Sequence, residues 1–480
     1  MKDLVDTAIQ GRQISDLSLS DVSSAIGQGI LGPVEVTQAT LERIEQLNPV
    51  LKAYVTVTAD HAMARAHEAE AEIRSGLRRG PLHGVPIAVK DLCETRFAPT
   101  TAGMGIYKNN DTGRDSTVVT RLEQAGAVIL GKLAMTEGAY SGHHPDLPTP
   151  LNPWGKEFWA GSSSSGSGVA TATGMAFATL GSDTGGSIRF PSNACGITGL
   201  KGTWGRVSRH GVYALADSLD HVGPMARTAA DCAAMMSVIA GADPADPTTL
   251  NAPVPDYLDG IDSPIRGLRI GADAAMILEA TAPDTAAMIA SVIETYTSLG
   301  AVIVPINLPN DPDISKYWTS LCGIEVILAH KGTWPERKAE YGPYLGEALA
   351  LGAGLSANDV GEALQWRLVY NGALARAMEP VDIVLLPVTE APTPVLDNTL
   401  GAPGQPDNPE LGDLLKLTAP ADLAGLPSLT LPGGFDARGA PFGFQLMGKS
   451  LSEGLLLNAG HAFQKVTDFH ARRPDLSSFI

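Results

Sequence analysis

The chain has 480 residues, 44% of them hydrophobic and 18% charged, so it contains enough apolar material for a large core. Length alone would allow two or three domains. The formal net charge of −18 disfavours direct binding to nucleic acid or anionic membranes, because those surfaces are also negative. The first residues lack the apolar stretch of a secretion signal, and no apolar run approaches ~18–20 residues. We therefore expect a cytoplasmic protein without membrane spans.

The cysteines do not form a pattern typical of a disulfide framework or a zinc site. They are scattered without a C-x-x-C spacing, at Cys93, Cys195, Cys232 and Cys322. Cys93 lies close in sequence to Lys90, but a small buried apolar side chain is its better interpretation.

The N-terminal part is predicted to be helical, and strands and helices then alternate. Apolar residues recur at helical spacing over 14–48, and residues 59–79 form a third helix rich in alanine and glutamate. A helix from Thr117 to Ala125 is followed by a short strand from Ala127 to Leu130. This alternation favours an α/β arrangement.

Residues 84–91, GVPIAVKD, place a lysine at the end of an apolar strand. Pro86 lies where a strand can begin, and Lys90 closes the run. A buried lysine must be paired or neutral, and burial lowers its pKa from the ordinary ~10.4. Such a lysine can accept a proton at neutral pH. The alternative is a lysine whose ammonium group reaches solvent along its own stem.

The loop over 141–160 contains four prolines and the neighbouring pair His143 and His144. Two histidines can bind a metal, but no third ligand follows at helical or strand spacing. We therefore expect no metal site, and interpret the pair as part of a loop that packs near the functional site.

Residues 161–192 are the most distinctive stretch. Four consecutive serines, Ser162 to Ser165, favour a loop or a helix N-terminus, because their hydroxyls compete for backbone hydrogen bonds. The small residues from Val169 to Ala178 are predicted to form a tightly packed helix. A Gly185-Gly186-Ser187 turn follows, and such a turn can direct several N–H groups at one oxyanion.

The C-terminal half continues the α/β pattern. Residues 264–310 predict a strand, a helix and a strand, and further strands are predicted near 381–389 and 442–448. Between them, residues 306–375 hold three of the six tryptophans in a chain with only 5% aromatic residues. These aromatic residues either line an acyl or leaving-group pocket or belong to the core of a helical hairpin.

Three of these stretches together resemble the pattern of the amidase signature family, serine hydrolases with a Ser–cis-Ser–Lys triad. Residues 84–91 resemble the strand that carries the family's lysine, 161–166 its serine loop, and 183–191 its nucleophile turn. The resemblance covers most of 17–473, with a gap at 306–375.

The resemblance implies an α/β fold in a single large domain over 1–480, with a central mixed β-sheet covered by helices on both faces. The core motif region is 84–227, and 306–375 is the variable substrate-pocket region. Three positions depart from the usual family residue: Ser162 replaces a glycine, Gly202 a proline and Asp422 an asparagine.

The resemblance also implies roles for individual residues. Ser187 is the nucleophile and Lys90 the base, while Ser163, 24 residues before Ser187, relays the proton and follows a cis peptide bond. Ser162 and Ser164 are the alternatives for the relay. The oxyanion hole consists of the backbone N–H groups of Thr184, Gly185, Gly186 and Ser187. Asp183 and Arg189 are expected to fix this turn by pairing with each other or with the backbone.

No G-x-S-x-G sequence surrounds Ser187, which argues against the nucleophile elbow of an α/β-hydrolase. The resemblance implies an amidase that cleaves a carboxamide, anilide or carbamate (urethane) through an acyl-enzyme, with no metal and no organic cofactor. We expect a small-molecule substrate, no direct contact with nucleic acid, and a monomer or homodimer.

Two other functions are compatible with the resemblance. One is the glutaminase subunit of a tRNA-dependent amidotransferase, which passes ammonia to a partner. The departures at Ser162 and Gly202 and the variable 306–375 region favour a stand-alone hydrolase. The other is an inactive binding protein on the same scaffold, which the retained Lys90, Ser163 and Ser187 disfavour.

Overall fold

A computed structural model describes residues 12–279, 281–395, 409–477 and 479. Within them, eleven strands form one sheet in the order β1-β3-β2-β4-β6-β5-β10-β11-β9-β7-β8. The strands are β1 (Tyr54–Val57), β2 (Pro86–Lys90), β3 (Val128–Leu133), β4 (Ala178–Asp183), β5 (Thr198–Lys201), β6 (His221–Ala226), β7 (Arg269–Ala272), β8 (Val302–Pro305), β9 (Ile383–Pro387), β10 (Ser428–Phe435) and β11 (Pro441–Gly448).

The α-helices are α1 (Leu19–Gly27), α2 (Pro33–Leu51), α3 (Ala59–Arg74), α4 (Thr117–Gln124), α5 (Ser165–Ala172), α6 (Arg189–Cys195), α7 (Ala229–Ile239), α8 (Pro283–Ser298), α9 (Ile314–Ala329), α10 (Pro343–Gly354), α11 (Ala357–Met378), α12 (Pro409–Leu423) and α13 (Glu453–Gln464). No helix in the described ranges is long and apolar enough to cross a membrane.

The sheet is mixed and covered on both faces. Strand β2 runs parallel to β3 and β4, whereas β4 pairs antiparallel with β6 and β10 with β11. Along β2, Ile87 and Val89 belong to one hydrophobic cluster and Ala88 to another. Since successive strand residues point to opposite faces, the two clusters lie on opposite sides of the sheet. Helix α7 contributes to the first cluster and α5 to the second, which confirms the predicted fold class.

Most predicted elements are confirmed, with small shifts at their ends. The helices expected within 14–48 and 59–79 are α1, α2 and α3, and the strand expected before Lys90 is β2. The strand, helix and strand expected over 264–310 are also present, as β7, α8 and β8.

The helix predicted over 169–178 is wrong in its limits, because α5 begins at Ser165 and ends at Ala172. It begins among the serines because their hydroxyls have tertiary partners and do not compete with the helix backbone; Ser167 Oγ donates to Leu180 O at 2.9 Å. The chain then reaches Gly174, whose φ of 71° favours glycine, and turns into β4.

The topology brings the two predicted motifs to one edge of the sheet. Strands β2 and β4 are adjacent and parallel, with Val89 opposite Leu180, so their carboxyl ends meet. Lys90 is the last residue of β2, and the Gly185-Gly186-Ser187 turn follows directly after β4. Ligands of open α/β sheets commonly bind at such strand ends.

Candidate active site

Lys90 is fully buried at the end of β2, and its Nζ contacts three serine hydroxyls. The distances from Nζ are 2.7 Å to Ser163 Oγ, 2.9 Å to Ser164 Oγ and 2.8 Å to Ser182 Oγ. The alternative of a solvent-reaching lysine is therefore wrong. The peptide bond between Ser162 and Ser163 is cis.

Burial lowers the pKa of Lys90 from 10.5 to about 7, although the nearby Cys93, Asp183 and Asp220 act in the opposite direction. A neutral amine has two N–H donors and one lone pair, so one neighbouring hydroxyl must donate to it. The hydroxyl of Ser164 donates to Ser182 O at 3.2 Å and is not available for this. The donor to a neutral Nζ is therefore Ser163 or Ser182.

Ser187 lies in the turn between β4 and α6. From Ser163 to Thr203 it is the one residue that is not buried. Its carbonyl accepts a hydrogen bond from Ser164 N at 3.3 Å, which joins the turn to the serine loop. The structure thus brings the loop of Ser163, the end of β2 and the turn of Ser187 together, and leaves Ser187 accessible.

The side chain of Asp183 organises this turn. It accepts hydrogen bonds from Gly186 N at 2.7 Å and Ile188 N at 3.0 Å, and forms a fully buried ion pair with Arg189 at 2.9 Å. Burial would raise the pKa of Asp183, but the Arg189 charge and these hydrogen bonds lower it well below its usual range. The predicted pairing of Asp183 with Arg189 is confirmed.

The N–H groups of the turn do not all point the same way. Gly186 N–H is taken by Asp183, so the expectation that it serves the oxyanion hole needs correction. The N–H groups of Thr184, Gly185 and Ser187 have no acceptor within the described ranges. These three remain as donors for a ligand oxygen.

Two carbonyl groups of the same turn accept hydrogen bonds from side chains of other helices. The indole N–H of Trp318 donates to Thr184 O at 2.8 Å, and the hydroxyl of Thr418 donates to Gly185 O at 2.5 Å. Trp318 belongs to α9, in the region 306–375 that matched no motif. This region therefore packs directly against the turn.

A second buried charge cluster lies beside the turn and was missed by the sequence reasoning. Arg189 donates to Asp422 Oδ2 at 2.6 Å, and Asp422 Oδ1 lies 4.0 Å from Lys201 Nζ and 3.5 Å from His221 Nδ1. Burial raises the pKa of Asp422 and lowers that of Lys201 to about 8. One signal was present in the sequence, because Lys201 also ends a buried strand, β5.

The histidine pair has protein partners. His143 Nε2 lies 3.0 Å from Ser165 Oγ, and burial lowers its pKa to about 4. His144 accepts from Asp146 N at 3.1 Å and lies 3.3 Å from Glu340 O. In the ranges that are described, no group of three or more His, Cys, Asp or Glu side chains could hold a metal ion. The four cysteines are unpaired and buried.

Nearly the whole chain is similar to known amidases and related proteins. The Amidase family model matches residues 35–457. The chain is 47% identical to AmiD of Mycobacterium tuberculosis, which is named as an amidase, over 96% of both chains. It is 39% identical to a glutamyl-tRNA(Gln) amidotransferase subunit of Roseiflexus sp., over 96% of this chain and 99% of that one. The peptide amidase of Stenotrophomonas maltophilia has a similar structure, with a TM-score of 0.82 at 29% identity, over 95% of this chain and 98% of that one.

Proposed function

Because this chain belongs to the amidase signature family and is a hydrolase of amide C–N bonds, we propose that it cleaves a small carboxamide, anilide or carbamate through an acyl-enzyme on Ser187. The observation that carries the proposal is the contact of 2.7 Å between the buried Lys90 Nζ and Ser163 Oγ. A lysine with a pKa of about 7 is neutral in a large share of molecules at physiological pH, as a general base must be.

In the proposed acylation step, Ser187 Oγ attacks the carbonyl carbon of the substrate. Its proton passes to Ser163 Oγ, and the proton of Ser163 passes to Lys90 Nζ. The carbonyl oxygen becomes an oxyanion and accepts hydrogen bonds from the N–H groups of Gly185 and Ser187, with Thr184 beside them. The proton on Lys90 then returns through Ser163 to the leaving nitrogen, the C–N bond breaks, and the amine departs.

Deacylation uses the same groups with water as the nucleophile. Water attacks the ester carbonyl of acylated Ser187 and gives its proton through Ser163 to Lys90. When the second tetrahedral species breaks down, that proton returns to Ser187 Oγ, and the acid is released. Every proton transfer uses a side chain of this chain, so we propose that no metal and no organic cofactor are required.

The other contacts of Lys90 support this role. When Lys90 is charged, its ammonium group has three N–H donors, and the hydroxyls of Ser163, Ser164 and Ser182 provide three acceptors. Every donor of the charged form is therefore satisfied. The amine can therefore exist in both protonation states in the same position. A base that cycles between them twice in each turnover needs such an environment.

The alternative function is that of a glutaminase subunit in a tRNA-dependent amidotransferase, which the 39% identity to the Roseiflexus protein favours. The higher identity to AmiD favours a stand-alone enzyme. We propose a stand-alone amidase that acts in the cytoplasm as a monomer or homodimer, without direct contact with nucleic acid.

A hydrolysis panel on the isolated chain tests the proposal. The panel contains aliphatic amides, aryl amides, aryl carbamates and glutamine, with Ser187→Ala as the inactive control. We expect turnover of at least one amide or carbamate by the isolated chain and none by the variant. Hydrolysis of glutamine alone, or co-purification with a tRNA-binding partner, would instead indicate the glutaminase component of an amidotransferase.

A further inference from the structure

We propose that Trp318 is a positioning residue for the oxyanion hole, an inference that rests on the proposed function of Ser187. Trp318 lies on α9, within the 306–375 region, and is only 6% exposed. Its indole N–H donates to Thr184 O at 2.8 Å. Among the hydrogen bonds of the described residues, it is the one that joins this region to the backbone of the nucleophile turn.

The direction of the Gly185 N–H group follows from this bond. The carbonyl of Thr184 and the N–H of Gly185 belong to one peptide plane, in which the C=O and N–H bonds of a trans peptide point in opposite directions. A donor that holds Thr184 O therefore directs Gly185 N–H away from α9. This N–H has no acceptor in the described part of the chain, so it is available to a substrate oxygen.

The packing around Gly185 leaves the peptide little freedom to turn. A Cβ atom at this position would lie 2.7 Å from Trp318 Cζ2 and 2.9 Å from Leu415 Cδ2. The indole ring thus rests on the α-carbon of Gly185 in addition to bonding the preceding carbonyl. The next carbonyl, Gly185 O, is held by the hydroxyl of Thr418. Two successive peptide planes are fixed from outside the turn.

Helix α9 is itself anchored beside the site, so it can serve as a rigid support. Glu325 of α9 accepts hydrogen bonds from Ser218 N at 2.7 Å and Ser218 Oγ at 2.5 Å. Arg367 of α11 donates to Ser218 O at 3.0 Å and to Leu423 O at 2.7 Å. Ser218 belongs to the segment that leads into β6, the strand next to β4.

The test replaces Trp318 with phenylalanine, which keeps an aromatic ring and removes the N–H donor. Three quantities are measured: kcat and KM with the best substrate of the panel, and the rate constant for labelling of Ser187 by a fluorophosphonate. Removing a direct oxyanion donor typically lowers the rate about 100- to 1000-fold. Trp318 does not donate to the substrate oxygen itself but orients the Gly185 N–H through the Thr184–Gly185 peptide. We therefore expect a smaller loss of roughly 10-fold in kcat, a KM within about twofold, and a parallel loss in labelling rate.

Trp366→Phe is the matched control. It removes an indole hydrogen bond of similar length, 2.7 Å to Asp311 Oδ2, within the same helical region. We expect this variant to keep the kcat and the labelling rate of the unmodified chain. Thr418→Val is a second test variant of nearly unchanged shape, which frees the neighbouring carbonyl and should also lower kcat.

The outcomes separate this inference from the proposed function. If the unmodified chain neither hydrolyses the panel nor reacts with the fluorophosphonate at Ser187, the proposed function fails, and the role of Trp318 fails with it. If the unmodified chain is active, but Trp318→Phe changes only KM or matches Trp366→Phe in both rates, the positioning role alone is wrong. If both tryptophan variants lose thermal stability and kcat to the same extent, the loss in Trp318→Phe reflects stability, and the positioning role is also wrong.

Discussion

Two buried lysines, Lys90 and Lys201, each end a strand of the central sheet, yet their surroundings differ. Lys90 Nζ contacts three hydroxyl groups. Lys201 Nζ contacts the carbonyls of Gly202, Ala421 and Leu426, and also His221 Nε2 at 3.1 Å. Hydroxyls can donate or accept, whereas carbonyls only accept.

This difference in hydrogen-bond partners determines which buried lysine can lose its proton. Three carbonyls require N–H donors, so they hold Lys201 in its charged form. His221 adds a fourth acceptor when its Nδ1 carries the ring proton and donates to Asp183 O at 3.2 Å. Around Lys90, in contrast, a hydroxyl can reverse its bond and donate to the neutral amine. Lowered pKa values occur at both sites, at about 7 and about 8, so the partners distinguish the roles more clearly than burial does.

The largest expected effect is a loss of kcat when Lys90 or Ser187 is replaced. Lys90→Met and Ser187→Ala should each lower kcat by at least about 10⁴-fold, because they remove the proposed base and the proposed nucleophile of one catalytic unit. Steady-state hydrolysis measures this loss, and circular dichroism confirms that both variants fold. Either variant with more than a tenth of the original activity would contradict the assignment.

The serine neighbours of Lys90 provide the next contrast. Ser163→Ala should lower kcat roughly 100- to 1000-fold, in the range of general acid–base contributions, because it interrupts the proposed proton relay. Ser164→Ala should cost about tenfold or less, because the Ser164 hydroxyl donates to Ser182 O and only accepts from Lys90. Comparing kcat for the two variants also fixes the register of the serine run. A larger loss in Ser164→Ala would make Ser164 the relay.

Replacing Lys201 should lower the free energy of unfolding. Lys201→Met leaves three carbonyl acceptors without their donor, while Asp422 keeps its ion pair with Arg189. Removing one partner from a buried charged cluster typically costs about 3–5 kcal/mol. Urea unfolding should show this loss, with a clearly smaller loss for Lys90→Met. The comparison of the two lysines fails if Lys201→Met keeps its free energy of unfolding, or if Lys90→Met is the less stable variant.

Part of this site could be predicted from the sequence. The resemblance to the amidase signature family implied the roles of Ser163 and Ser187. The apolar run before Lys90 predicts the burial of that lysine, and the glycines before Ser187 predict a turn with converging N–H groups. These signals are local, because each depends on residues within one strand or one turn. The α/β arrangement followed in the same way from the alternation of strand and helix patterns, whereas the mixed sheet with helices on both faces was implied by the resemblance.

Other features depend on contacts between distant segments and left no local signal. The cluster of Lys201, His221 and Asp422 forms only when β5, β6 and α12 pack together. The bond from Gly186 N to Asp183 depends on the exact path of the turn. The bond from Trp318 spans 134 residues, and the enrichment of tryptophan in 306–375 did not show which ring would reach the turn.

The most direct test of the account is the pH dependence of fluorophosphonate labelling at Ser187. In the proposed mechanism the neutral form of Lys90 is the active one. Burial lowers the pKa of Lys90 to about 7, so this form is lost as pH falls below that value. The account predicts a labelling rate that is constant above pH about 7 and falls about tenfold per unit below it, with no such limb in Lys90→Met. A rate that does not change between pH 5 and pH 9, or an unchanged limb in Lys90→Met, would contradict the claim that Lys90 is the base.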